Sequence, residues 1–176
     1  GRILLRMPVG QGFGSGFHET TQLALRALEI TDVEGGAVLD VGTGSGVLAI
    51  AALLLGIAHA VGIDTDPVAC HEAQMNAREN GVASRFDIIP GALDRLTAGR
   101  YDLVMANLRP PTLVDLMPRL EELTAENGFL ILSGFRVGEQ SSVEKRLPNR
   151  LRLVWRETDR DWAATIAHRN ESISWG

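Results

Sequence analysis

Short apolar runs bounded by turn residues alternate along this chain with longer stretches in which apolar positions return every three to four residues. Each change of spacing marks a change of element. Thr20 to Glu29 sets Leu23, Ala24, Ala27 and Leu28 on one helical face. Ala37 to Val41 is a short strand, apolar except for Asp40. The segment Ser45 to Leu55 is predicted as a helix that is apolar nearly all round, through Val47, Leu48, Ile50, Leu53 and Leu54. Such a helix belongs in the interior, and Gly56 ends it as a C-terminal cap. A second strand, Ala60 to Asp64, leads to Asp66-Pro67, an N-cap followed by proline at the first helical position. That helix stops at Asn80-Gly81. Strands follow at Arg85 to Ile89 and Tyr101 to Ala106, and Pro110-Pro111 lead into a helix over Thr112 to Leu123. After an Asn127-Gly128 turn come a strand at Phe129 to Ser133 and a helix at Val137 to Arg146.

The alternation of strand and helix predicts a mostly parallel sheet covered on both faces. It breaks at the end, where Leu151 to Arg156 and Trp162 to His168 both read as strands with only about five polar residues between them. So short a link permits a hairpin and excludes a parallel crossover, which needs a dozen or more residues. The expected fold is α/β, a Rossmann-like doubly wound sheet of seven strands, mostly parallel, with an antiparallel C-terminal hairpin.

Composition narrows the classes further. The 176 residues are expected to form a single domain, 1–176, with enough apolar residues (45%) for a full core. A net charge of −5 counts against a nucleic-acid binder, which carries a basic face. No apolar run reaches the ~20 residues of a membrane span. The lone Cys70 can form no internal disulfide, and no Cys/His spacing suggests a metal site. A cytoplasmic location is the expectation. Gly1 in place of a methionine suggests a processed or truncated chain.

Chemistry concentrates in Gly42-Thr43-Gly44-Ser45-Gly46, a glycine loop between the first buried strand and the interior helix. Glycine there allows positive φ and lets a ligand lie against peptide N–H groups. A dinucleotide fingerprint would place its third glycine where Val47 stands, and no Lys-Ser/Thr follows for a phosphate loop. Asp64, closing the second strand, is placed to accept hydrogen bonds from ribose hydroxyls. Asp40 is expected to act as a structural carboxylate bonding the loop.

Gly-x-Gly-x-Gly after Val38-Leu39-Asp40, the acid at Asp64 and the terminal hairpin resemble class I S-adenosylmethionine-dependent methyltransferases. Within them, Gly10-Gln11-Gly12-Phe13-Gly14-Ser15-Gly16-Phe17-His18-Glu19-Thr20-Thr21 is similar to the opening motif of the PrmA-type family, which methylates a large-subunit ribosomal protein. Asn76-Ala77, Asn80-Gly81-Val82, Ala106-Asn107-Leu108 and Leu132-Ser133-Gly134 extend the likeness. The resemblance implies S-adenosylmethionine as cofactor, with contacts on Thr21, Gly42, Asp64 and Asn107; Asp40, Gly44 and Gly46 are expected to complete its binding site. Thr21 would offer a hydroxyl and a backbone N–H to the methionine portion. Asn107, with Thr21, is the expected catalytic residue, its carbonyl orienting an acceptor amine.

The implied partner is a protein acceptor, a ribosomal protein first. The same fold acting on another protein or a small molecule is the alternative, and a non-catalytic cofactor-binding module is the alternative of another class. The family's N-terminal recognition domain is not found in this sequence. Two departures from the family stand at the site: Ala92 follows Gly91 where an acid is common, and Arg109-Pro110-Pro111 replaces small residues after Leu108. His18 is expected to cap or pack, His59, His71 and His168 to lie on the surface, and Cys70 to be a small packed side chain.

Overall fold

A computed structural model describes residues 4–7, 18–96 and 99–170. The glycine-rich stretch up to Phe17 lies outside the described residues. The elements are α1 (Glu19–Glu29), β1 (Ala37–Val41), α2 (Val47–Leu54), β2 (His59–Asp64), α3 (Pro67–Glu79), β3 (Phe86–Pro90), β4 (Tyr101–Asn107), α4 (Pro110–Leu123), β5 (Thr124–Arg136), α5 (Val137–Glu144), β6 (Leu151–Asp159) and β7 (Trp162–Arg169). The strands form one sheet of order β3-β2-β1-β4-β5-β7-β6. β1 to β5 pair in parallel, while β7 lies antiparallel between β5 and β6.

Alternation along the central strands sends side chains to both faces. Val38, Leu103, Met105 and Ile131 join one core with α1, α2 and α3, whereas Leu39, Val104, Ala106, Leu130 and Leu132 join the other with α4. Both cores are closed to solvent, which explains why these strands read as continuous apolar runs. α2 is buried from Val47 through Leu53, as an interior helix requires.

Several boundaries differ from the expectation for local reasons. Gly46 has φ 81°, outside helical space, so α2 begins at Val47 rather than Ser45. α4 begins two residues early because both prolines occupy its first turn, where a missing N–H costs nothing. The Asn127-Gly128 turn falls within β5 as an irregularity: Tyr101 pairs with Thr124 but Leu103 with Phe129, and Asn127 takes φ 62°. The terminal hairpin is tighter than expected. Asp159 pairs with Trp162 across Arg160-Asp161, with Arg160 at φ 52°.

Candidate functional site

β1 and β4 are neighbours, and the chain leaves their carboxyl ends toward opposite sides, so a crevice opens there. It is a cleft of about 670 Å³, lined at one end by Gly42, Gly44 and Asp64 and at the other by Thr21, Asn107 and Trp162.

At the loop end, φ is positive at Gly42 (71°), Gly44 (55°) and Gly46 (81°), alternate positions in a conformation that L side chains resist. The peptide N–H groups are not free as the sequence suggested. Those of Gly42 and Thr43 donate to the Ile63 carbonyl at 2.8 and 3.1 Å, that of Gly44 to Asp64 Oδ2 at 2.9 Å, and that of Gly46 to the Thr43 carbonyl at 2.8 Å. The loop therefore offers shape rather than donors, which suits a ligand without phosphate at this point. Gly46 lies away from the cleft lining, and a Cβ there would meet Phe86 at 3.0 Å and Ala73 at 3.1 Å. Its place is the close packing of the loop on α3.

Asp64 accepts one N–H on each oxygen, from Gly44 and from Asp66 (2.9 Å each). A carboxylate has about four acceptor positions, so two remain for hydroxyls in the cleft. Asp40 is 1% exposed and accepts from the Thr43 hydroxyl at 2.8 Å. Burial pushes its carboxyl up to about 6, against the hydrogen bonds from Thr43 and the Ala49 N–H, with the nearby Asp64 charge adding to the rise. It lines the cleft and braces the loop.

At the other end, α1 starts at the cleft because His18 Nδ1 accepts the Thr20 N–H at 3.2 Å as N-cap, the capping role expected of it. The Thr21 N–H donates to the His18 carbonyl, leaving the hydroxyl alone for a ligand, not the N–H as well. Asn107 Nδ2 donates to Thr21 Oγ1 at 3.4 Å, joining two residues far apart in sequence and leaving Asn107 Oδ1 as an acceptor. Ser133 Oγ ties this end together by donating to the Thr20 carbonyl at 2.8 Å. Gly134 (φ 94°) brings the Leu108 main chain so close that a Cβ would stand 2.3 Å from its carbonyl oxygen. Asn76 plays the same part behind the loop, its Nδ2 donating to the Ser45 carbonyl at 2.9 Å.

Sequence reasoning missed Trp162, which opens β7, lines the cleft and meets the His18 ring edge-on at 4.9 Å. Only its position at the hairpin start hinted at the site. Two histidines expected on the surface have partners: His59 lies 3.1 Å from Asp87, and the His168 ring packs on Phe129 at 4.9 Å. Cys70 is buried, and burial pushes its thiol up, which fits a packed side chain. Ala92 is not among the described lining residues. Among the described residues no cluster of His, Cys, Asp and Glu could hold a metal ion, and no helix is long and apolar enough to cross a membrane.

This strand order, with a glycine cradle and an acid at the carboxyl ends of β1 and β2, defines the Rossmann-like methyltransferase fold. The profile of the family described as ribosomal protein L11 methyltransferase (PrmA) matches residues 1–170, and the chain belongs to that family. A ribosomal protein L11 methyltransferase of Pelotomaculum thermopropionicum is 46% identical over 134 residues, 76% of this chain and 44% of its own length. That of Marinobacter nauticus is 40% identical over 168 residues, 95% of this chain and 56% of its own. The crystal structure of the ribosomal protein L11 methylase of Lactobacillus delbrueckii subsp. bulgaricus superposes with a TM-score of 0.83 at 32% identity, covering 89% of this chain and 81% of that one. The chain spans about half the length of the curated relatives it matches.

Proposed function

We propose that this chain transfers a methyl group from S-adenosylmethionine to an amino group of a protein, a ribosomal protein first. The observation that carries the reading is the meeting of Asn107 Nδ2 and Thr21 Oγ1 at one end of a cleft whose other end holds Gly44 and Asp64. The loop end fits a nucleoside: Gly42 and Gly44 leave room for it, and Asp64 keeps acceptor positions for ribose hydroxyls. The cofactor would supply a methyl group on a sulfonium, already a good leaving group, so the protein's task is alignment. An acceptor lysine, with an ordinary pKa of ~10.4, must present its neutral form. Asn107 Oδ1 is the group to accept a hydrogen from that amine and aim its lone pair, while Thr21 holds the Asn107 amide in place.

Calorimetry with S-adenosylmethionine and S-adenosylhomocysteine tests the cofactor, and transfer of a radiolabelled methyl group to purified ribosomal protein L11 and to whole lysate tests the reaction. Binding of both ligands and labelling of the ribosomal protein are expected. A protein that binds neither ligand sinks the reading, and binding without labelling of any protein leaves a non-catalytic module. Arg109 at the cleft favours a second acceptor class, another protein or an anionic small molecule, which the lysate arm would reveal.

A further inference from the structure

The cleft is electrically divided. Asp40, Asp64, Asp66 and Glu72 line it at and beyond the loop, whereas Arg109 is the only Lys or Arg among its described lining residues. Arg109 stands two residues past Asn107 as N-cap of α4, with Pro110 and Pro111 holding the turn that follows. Its side chain is exposed and makes no ion pair or hydrogen bond among the described residues. Asn107 beneath it is half-buried and Thr21 is 3% exposed. Arg109 is thus at the rim, where it meets what enters the cleft rather than what lies on its floor.

A second guanidinium stands at the same end. Asn107 and Ser133 are register partners on β4 and β5, and Arg136, closing β5, lies 5.2 Å over the Trp162 ring. Of the carboxylates nearby, Glu19 pairs with Arg160 at 2.9 Å and Glu139 Oε2 accepts the Arg136 N–H at 2.8 Å, while Asp161, next to Trp162, is exposed.

From this arrangement, and resting on the methyl-transfer reading above, we infer that Arg109 selects acceptors carrying a carboxylate beside the target amine. A guanidinium presents parallel N–H donors that match a carboxylate with two hydrogen bonds. The same charge, close to Asn107, disfavours a protonated amine at the point of transfer.

The test titrates protein saturated with S-adenosylhomocysteine with two synthetic peptides that differ only in the residues flanking one lysine, glutamate in one and glutamine in the other. The glutamate peptide is expected to bind about twofold to fivefold more tightly, a modest ratio because the site is exposed. Arg109→Ala should abolish the preference, Arg109→Glu reverse it, and Arg109→Lys restore only part, since an ammonium lacks the fork. Equal binding of the two peptides, or binding of neither, overturns the inference. So does an Arg109→Ala variant that loses affinity for S-adenosylhomocysteine but not for 5′-methylthioadenosine, because the carboxylate would then be the cofactor's own. Wild-type protein that takes up no S-adenosylhomocysteine overturns the methyl-transfer reading instead, so the two failures are distinguishable.

Discussion

At one end of the cleft the wall is main chain, Gly42 to Gly44 with Asp64 tied back to it; at the other it is side chains from separate elements, Thr21 of α1, Asn107 of β4 and Trp162 of β7. The loop end spends its N–H groups on Ile63 and Asp64 and is acidic. The far end is built of side chains from α1, β4, β5 and β7, among them the Asn107–Thr21 and Ser133–Thr20 hydrogen bonds and Trp162 against His18, and it carries Arg109 at its rim. A backbone cradle recognises shape and tolerates little change, because its glycines take φ values that L side chains resist. Side chains brought from distant elements can be altered one at a time without losing the fold. The first arrangement suits a constant ligand, the second a variable one.

The largest effect is expected at Gly134, where main chain holds the side-chain end together. Gly134→Ala forces a Cβ against the Leu108 main chain at φ 94°, and it should cost about 3 kcal/mol of stability in urea denaturation. Unchanged stability would mean that Leu108 moves freely.

Asn107→Ala should come next, slowing transfer about a hundredfold while calorimetry finds S-adenosylhomocysteine affinity within about threefold of wild type. Equal loss of both would make Asn107 part of the cofactor cradle and erase the division between the two ends.

Asp64→Asn probes the loop end in the opposite sense. One acceptor oxygen becomes a donor facing an N–H, and cofactor affinity should fall about tenfold with the acceptor's KM unmoved.

A test of a different kind, by pH, concerns Asp40. Its carboxyl stands at about 6 in the folded protein, above its ordinary 3.8, so the folded chain holds that proton more tightly than the unfolded chain does. The stability it contributes is complete below about pH 4 and lost as pH rises through about 6. Asp40→Asn should flatten the denaturation midpoint across that window; an unchanged slope would place the titration elsewhere.

Much of the fold was legible because its signals are local. Asp66-Pro67 starts α3, and the Asp66 side chain accepts the Val68 N–H at 2.8 Å as its residue type suggests. The spacing between the last two strands dictated a hairpin. Less legible was where hydrogen bonds go. The loop read as a set of free donors, yet Ile63 and Asp64 take them, and the Thr21 N–H turns inward to His18. The motif residues Asn76 and Ser133 read only as family marks, and their work, holding the Ser45 and Thr20 carbonyls, depends on partners from distant elements.

By itself, then, the sequence determined the order and type of the elements, the doubly wound sheet and the location of the glycine cradle, because periodicity, caps and glycine spacing act over a few residues. The three-dimensional packing decided that Thr21 and Asn107 meet, that Trp162 lines the same end and that Arg109 stands at the rim without an ion pair among the described residues. Those residues come from three elements and the link between β4 and α4, and only the sheet order brings them to one edge.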